Sequence, residues 1–511
     1  MTNKFIYKTS DEQADEVLLA GRPLRDLISE IQDLYLEDRR PWVIGFSGGK
    51  DSTTVVQLIY FALKKLSESK RKKPVYVVSS NTLVETPQVI DLLRATHEEI
   101  NNEAARDSLP IKAHTVTPLV EQSFWVNLLG KGYPAPTRSF RWCTERMKIN
   151  PISSFVLDRV AEYGEVIMVL GARSAESASR AQVIAKHRVD GTRLGRHTSL
   201  PNAYVYTPIE DWTADDVWEY LMSAPSPWGG SNRALFELYK GSNAGECPIV
   251  IDTSTPSCGN SRFGCWTCTV VTKDKAVESL VEQGESWMTP LLDFRNMLAE
   301  TTKPNQKAKY RNVRRRSGKI SIMRDSLQEN SQDANDAKKT VPGSYRMRYR
   351  RDWLEQLLRI QKQFKDSGRN LELIREDELH LIRKEWINDP NEPDHKDHLP
   401  KIYRVVYNKD LNWVQNDATT VNRIDFDLIE SLAEHYKVPK VLVHRLLDLE
   451  ISKEGLARRR GINVEIAKTL NQDWGTVEDI IEKDKLIRDG GYTDEIEQLR
   501  EELAVFEKTT V

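Results

Sequence analysis

Apolar positions change their rhythm along the chain, and each change marks an element. Val17, Leu18, Leu24, Leu27, Ile28, Ile31 and Leu34 recur near a period of about 3.6 residues, so residues 1–40 are expected to form a helical segment covering the core that follows. From Pro41 to about Ile209, short β-branched runs alternate with helical patterns. WVIGF, VYVVSS, IKAHTV and VIMVLG read as strands, with helices expected near 52–67, 86–104 and 148–162. Runs that are apolar on both faces, each followed by a helix, predict an α/β fold with a mainly parallel sheet wrapped on both sides. The stretch GSNAGECPIVIDTSTPSCGNSRFGCWTC is too rich in Gly, Ser, Pro and Cys for a regular element and reads as an ordered loop held by something other than an apolar core. Helical patterning returns after Asp352, in WLEQLLRIQKQF, LIESLAEHYKVPKVLVHRLLDL and IEQLREELAVFEK. Four regions follow: a helical segment at 1–40, an α/β core with its Cys-rich loop at 41–300, a basic and partly flexible linker at 301–351, and a helical domain at 352–511.

With 511 residues, 29% of them charged, the chain is too long for one ordinary core. No apolar run approaches the roughly 18 residues of a membrane span, and MTNKFIYKTSDEQADE lacks the layout of a signal peptide. A cytoplasmic protein with no membrane partner is expected. The net charge of -2 conceals an asymmetry, because residues 303–351 hold 15 Lys/Arg against 4 Asp/Glu. KPNQKAKYRNVRRRSGK and YRMRYRR interleave these charges with Tyr310, Tyr345 and Tyr349, a pattern that suits phosphate neutralisation with packing or stacking by the rings. A polyanionic partner, DNA first, is expected.

The chemistry concentrates in three places. The strand WVIGF runs into SGGKDS and then a helix, which places glycines, backbone amides and a positive helix end above the sheet's edge, a nest for phosphate. Ser47, Gly48, Gly49, Lys50, Asp51 and Ser52 are its residues: hydroxyl donors, a cation, and a carboxylate able to engage Mg²⁺ or cap the helix. The glycine spacing is not that of a Walker A loop. In GARSAESASR, again after a strand, Arg173 and Arg180 have the planar fork that clamps phosphate, with Glu176 to orient one of them. Trp212 and Trp218 read as core residues.

The five cysteines do not form a disulfide framework. Cys258, Cys265 and Cys268 have the spacing C-x₆-C-x₂-C, and Cys143 in RWCTERMK is placed to supply a fourth thiolate. Four thiolates suit a [4Fe–4S] cluster or a structural zinc; the single C-x₂-C pair favours the cluster. Cys247 is either a structural thiol, a sulfur carrier, or a ligand in place of Cys143.

SGGKDS resembles the PP-loop of the ATP pyrophosphatase superfamily, and SSNTLVETP, GARSAESASR and TPIEDWTADDVWEYL resemble, in the same order, elements of its PAPS-reductase-like branch. The tandem Cys-Cys pair of the cluster-bearing reductases of that branch is replaced by Trp142-Cys143, and no cysteine follows Cys268 to serve as the reductases' C-terminal nucleophile. With RWCTERMKI and CGNSRFGCWTC added, the chain closely resembles the DndC family of DNA phosphorothioation. That resemblance implies an adenine nucleotide α-hydrolase-like core, cleavage of ATP to AMP and pyrophosphate with Mg²⁺, and a [4Fe–4S] cluster on Cys143, Cys258, Cys265 and Cys268. It also implies sulfur supplied by a cysteine desulfurase and companion phosphorothioation subunits that handle the DNA. Lys50, Asp51 and Arg173 would assist adenylation.

Overall fold

The computed structural model describes residues 17–176, 178–189, 192–233, 235–236, 264–322, 340–394, 396–414, 423–452 and 461–472, with five isolated positions between 474 and 482. Cys247 and Cys258 lie outside the described residues. The chain divides into two compact units, Met1–Phe124 with Pro136–Ala299, and Trp125–Ala135 with Glu300–Val511.

In the first unit, the apolar runs become a six-stranded sheet of β1 (Trp42–Gly45), β2 (Val75–Ser80), β3 (Ile111–Val116), β4 (Val166–Val169), β5 (Gly195–Arg196) and β6 (Ala203–Tyr206), in the order β3-β2-β1-β4-β6-β5. All neighbours are parallel except β5 and β6, an antiparallel edge pair. The fold is therefore α/β with a mostly parallel sheet. Alternation within each strand explains the continuous apolar runs: Trp42, Ile44, Val75, Val77, Ile167 and Val169 join one core, while Val43, Val78, Val166 and Met168 join the core on the opposite face. The helices that accompany the sheet are α1 (Leu24–Glu37), α2 (Lys50–Lys64), α3 (Pro87–Arg106), α4 (Asn150–Tyr163), α5 (Ala178–His187) and α6 (Ala214–Ser223); α7 (Lys275–Glu282) and α8 (Thr289–Glu300) follow the cysteine turn. Within α2, Val55, Val56, Leu58, Ile59, Ala62 and Leu63 are all buried. Each large apolar side chain among them contributes roughly 1.5–3 kcal/mol. At the start, the expected continuous helix is broken into a short hairpin, Leu18–Leu19 with Arg22–Pro23, because Gly21 takes φ +73° and Pro23 fixes the entry to α1. Trp212 is buried, as its pattern predicted, and Trp218 packs edge-on against Phe236.

The strand order reverses direction of growth at β1 and β4, so their carboxyl ends flank a crevice. The loops that follow these two strands are SGGKDS and GARSAES.

In the second unit, α9 (Met347–Asp366) and α10 (Glu376–Ile387) hold the segment 125–135: the indole N–H of Trp125 donates to Leu373 O and that of Trp386 to Leu129 O, both at 2.7 Å. No described helix is long and apolar enough to cross a membrane.

Candidate functional site

Phe46–Gly49 turns the chain from β1 into α2. Gly48 takes φ +73°, open to glycine and costly to other residues, and a β-carbon there would lie 3.0 Å from Leu93 Cδ2. Ser47 and Ser52 hold the turn. The Ser47 N–H donates to Ser52 Oγ at 3.2 Å, the two hydroxyls lie 3.1 Å apart, and the Ser52 hydroxyl donates to Gly49 O at 3.0 Å. Both hydroxyls thus shape the loop. The first amides of α2 have no acceptor within the helix, so the loop presents N–H groups and the positive helix end beside the crevice.

Three predicted residues meet at this helix start. Arg173 Nε lies 2.7 Å from Asp51 Oδ1, and Lys50 Nζ lies 2.8 Å from Asp51 Oδ2. Arg173 is 1% exposed and Lys50 3%, so one carboxylate is shared by two cations with little water to screen them. A divalent ion at Asp51 would have to compete with both. Nη1 of Arg173 also donates to Trp212 O at 3.4 Å, and Ser174 N–H donates to Glu210 O at 2.8 Å, so PIEDW braces the Arg173 loop. Glu176 N–H closes the turn onto Arg173 O at 3.2 Å. The side chain of Arg180 lies outside the described part of α5.

Gly171 was missed by sequence reasoning. A β-carbon there would sit 2.8 Å from both C and O of Asp51 and 3.0 Å from Ser52 N. The two loops touch backbone to backbone, and only hydrogen at that position allows it.

The loop after β2 runs the other way, to the cysteines. Thr82 Oγ1 donates to Glu85 Oε1 at 2.9 Å and lies 3.3 Å from Cys265 Sγ; Glu85 bridges to Cys265 as an isolated antiparallel pair, and Trp266 N–H donates to Val84 O at 3.0 Å. SSNTLVETP is thus a splint between the sheet edge and the Cys-rich loop. Cys143, Cys265 and Cys268 line one cavity, walled by Phe124, Met147 and Val270. Cys143 stands at the start of Trp142–Thr144, which continues as a π-helical turn, Glu145–Ile149, into α4. Such turns recur at functional sites. Arg295, a buried residue of α8 with no sequence signal, fixes the cysteine turn through Cys268 O at 2.8 Å and Thr272 O at 3.0 Å.

Burial, and after it the Glu85 carboxylate, push the Cys265 thiol well above its usual range, against the pull of Lys148 and Thr82. A metal-free Cys265 is therefore a neutral thiol that must lose its proton to ligate. Among the described residues, no three His, Cys, Asp or Glu side chains gather tightly enough to hold a metal ion. The donor set nonetheless fits a thiolate-bound group in kind: three thiols face one cavity, with the fourth predicted ligand, Cys258, outside the described residues.

The basic segment is occupied in a way its composition did not announce. In the second unit, Arg350 is fully buried and paired with Asp389 at 2.7 Å, Arg351 pairs with Asp394 at 2.7 Å, and Arg316 binds Glu385. Arg311 and Arg346 donate to backbone carbonyls of Gly343 and Arg311, at 2.7 and 3.1 Å. Tyr345 is fully buried, with its hydroxyl 2.5 Å from Thr301 Oγ1, so it packs and is not open to a base. Tyr349 stacks on Trp353 with ring centroids 6.0 Å apart.

Residues 41–271 match the pattern of the phosphoadenosine phosphosulfate reductase domain. An uncharacterised protein of Methanocaldococcus jannaschii is 27% identical over 228 residues, 44% of this chain and 41% of that protein. An uncharacterised protein of Escherichia phage 186 is 28% identical over 125 residues, 24% of this chain and 33% of its own. The chain thus spans less than half the length of these curated relatives. Among solved structures, yeast FAD synthetase in complex with FAD aligns with 47% of this chain and 68% of its own at 13% identity and a TM-score of 0.24. The U34-tRNA thiolase of Methanococcus maripaludis with its [4Fe-4S] cluster aligns with 55% of this chain and 82% of its own at 12% identity and a TM-score of 0.25. Likeness at those scores carries no argument. Residues 41–271, with their parallel sheet and the loop–helix junction at the switch point, thus carry the pattern of a phosphoadenosine phosphosulfate reductase domain.

Proposed function

We propose that this chain is an ATP pyrophosphatase that activates a backbone phosphate of DNA by adenylation for sulfur incorporation, as its resemblance to the DndC family implies. An anionic phosphodiester repels nucleophiles and has a poor leaving oxygen. Attack of that oxygen on the α-phosphorus of ATP breaks the bond to the β-phosphate and releases pyrophosphate; the oxygen then leaves with AMP when a sulfur nucleophile attacks the DNA phosphorus. Lys50 and the amides of the SGGKDS loop stabilise charge on the departing pyrophosphate, with Mg²⁺ carried by the nucleotide. Arg173 holds Asp51 in place where the two loops meet. Cys143, Cys265 and Cys268, with Cys258, would hold a [4Fe–4S] cluster, which supplies sulfur or electrons when bound. The sulfur comes from a cysteine desulfurase, and companion phosphorothioation subunits present the DNA.

One observation carries this reading. The loop after β2, whose strand end lies beside the turn after β1 through the Ser79 hydroxyl donating to Phe46 O at 2.8 Å, ends paired to Cys265, so five consecutive residues, 81–85, link the sheet's carboxyl edge to the thiol-lined cavity, which supports coupling of adenylation to sulfur chemistry. A second reading, with RNA or a sulfonucleotide as acceptor, is favoured by the internal use of Arg311, Arg316, Arg346, Arg350 and Arg351, which removes part of the charge argument for DNA.

The test is pyrophosphate release by anaerobically purified protein, alone and with duplex DNA, tRNA or a sulfonucleotide, with iron, sulfide and zinc measured on the same sample. The expected result is iron and sulfide in the protein, release stimulated by DNA, and loss of release in Lys50→Ala. Full release in Lys50→Ala would refute the loop assignment. Stimulation by tRNA or a sulfonucleotide in place of DNA moves the acceptor to the second reading. Zinc without turnover leaves a zinc-stapled DNA-binding scaffold.

A further inference from the structure

The cavity lined by the three cysteines also contains hydrogen-bond donors that the rest of the site does not use. Arg141, two residues before Cys143, turns Nε and Nη1 to positions shielded from solvent, and neither has a partner among the described residues. Thr267, between Cys265 and Cys268, is wholly buried, and its Oγ1 likewise has no partner among the described residues. Neighbouring hydroxyls show the contrast: Thr269 Oγ1 donates to Pro136 O at 2.7 Å and Thr82 Oγ1 to Glu85 at 2.9 Å. Leaving a buried donor unmade costs about 1–3 kcal/mol, and more when it is charged. Three such donors around one cavity therefore point to an acceptor that belongs there.

The cavity holds about 60 Å³, well above the ~10–15 Å³ that a single water needs. Its nearby carboxylates are engaged elsewhere, Glu85 by Thr82 and Asp274 as the cap of α7 through Val277 N at 3.1 Å. The acceptors that share this cavity with Arg141 and Thr267 include the sulfur atoms of Cys143, Cys265 and Cys268, which carry negative charge once they ligate.

We propose that Arg141 and Thr267 are positioning residues that donate N–H and O–H hydrogen bonds to the sulfur atoms of the thiolate-bound group in this cavity. The inference rests on the reading of Cys143, Cys265 and Cys268 as ligands of one group. Its physical consequence is electronic. Donors to ligating or bridging sulfur withdraw electron density and favour the reduced form, so they raise the reduction potential, and the guanidinium offsets the negative charge of the assembly.

The test is anaerobic reconstitution of the full chain with iron and sulfide, followed by iron and sulfide analysis and spectroelectrochemical titration of the parent, Thr267→Val, Arg141→Lys and Arg141→Gln. Thr267→Val keeps the side chain's shape and removes only the hydroxyl. The expected result is equal iron content throughout, a midpoint potential more negative than the parent's in Thr267→Val and Arg141→Gln, and an intermediate value in Arg141→Lys. Equal potentials at equal iron content overturn the proposal while leaving the sulfur-transfer reading intact. A parent that binds no iron overturns both. Should Arg141→Gln fail to fold, Thr267→Val and Arg141→Lys decide the matter.

Discussion

Replacing Gly171 by Ala adds one carbon at the point where the two loops of the nucleotide site touch. That carbon would stand 2.8 Å from Asp51 C and O and 3.0 Å from Ser52 N, where ordinary contact begins at 3.4 Å. All three neighbours are backbone of the first turn of α2, and α2 is buried along its length, so relief requires a shift of about half an ångström between the strand β4 loop and the helix start. Overpacking of this kind costs roughly 1–3 kcal/mol. The same shift moves Lys50 and Asp51, and since a displacement of about 1 Å costs on the order of 100-fold in rate, roughly a tenfold loss of pyrophosphate release is expected. Thermal unfolding and pyrophosphate release on parent and Gly171→Ala read both effects. A Gly171→Ala protein with unchanged midpoint and unchanged turnover would refute the close-approach argument.

Asp51→Asn removes the charge shared by Arg173 and Lys50 and leaves two buried cations facing each other; denaturant unfolding should show a loss on the order of 3 kcal/mol, and an unchanged midpoint counts against the triad. His97 is buried between Ser79 Oγ at 2.8 Å and Thr115 Oγ1 at 3.2 Å, and burial lowers its value from 6.5 to about 4. The unfolded chain therefore takes up this proton first, so the stability His97 contributes is complete above pH 6.5 and is lost as the pH falls toward 4, on the order of 3 kcal/mol in all; His97→Gln should flatten urea midpoints across that window, and an unaltered pH profile rejects the assignment. In the second unit, Arg350→Met strips the buried Asp389 of its main partner and should cost roughly 3–5 kcal/mol, whereas the exposed Arg315→Gln should stay within about 0.5 kcal/mol; equal unfolding midpoints for the two would sink the distinction between internal and surface arginines.

Much of the fold was legible because strand burial and loop chemistry are local properties. WVIGF, VYVVSS, IKAHTV and VIMVLG each became a parallel strand: WVIGF and VIMVLG are apolar throughout because both their faces are buried, whereas the edge strand IKAHTV buries Ile111 and Ala113 and leaves Lys112 exposed. The antiparallel edge pair was not read, because AYVY lies beside a two-residue strand too short to leave a period. Lys50, Asp51 and Arg173 were legible as chemistry, but their sharing of one carboxylate is a tertiary fact. Gly171 looked like any strand-end glycine, and its constraint comes from Asp51, 120 positions earlier in the chain. Arg295 sits among apolar positions of α8 and gives no period or motif at all.

The basic segment shows how much composition leaves out. Charge counted along a sequence reports a potential partner only for side chains that reach water, and an arginine reaches carbonyls and carboxylates of its own chain as readily as phosphates. Gly343 shows how tightly this segment is folded: a β-carbon there would collide with Arg314 O, so the two ends of the run, 311–316 and 343–346, press backbone against backbone. Arg311 and Arg346 then fasten that contact. Among the described residues of 303–351, the cations left exposed are Lys303, Lys309, Arg315, Lys319 and Arg348. If the DNA of the proposed function met these five alone, the salt slope for duplex DNA would be about -4 to -5, and a steeper measured slope would show that further cations take part.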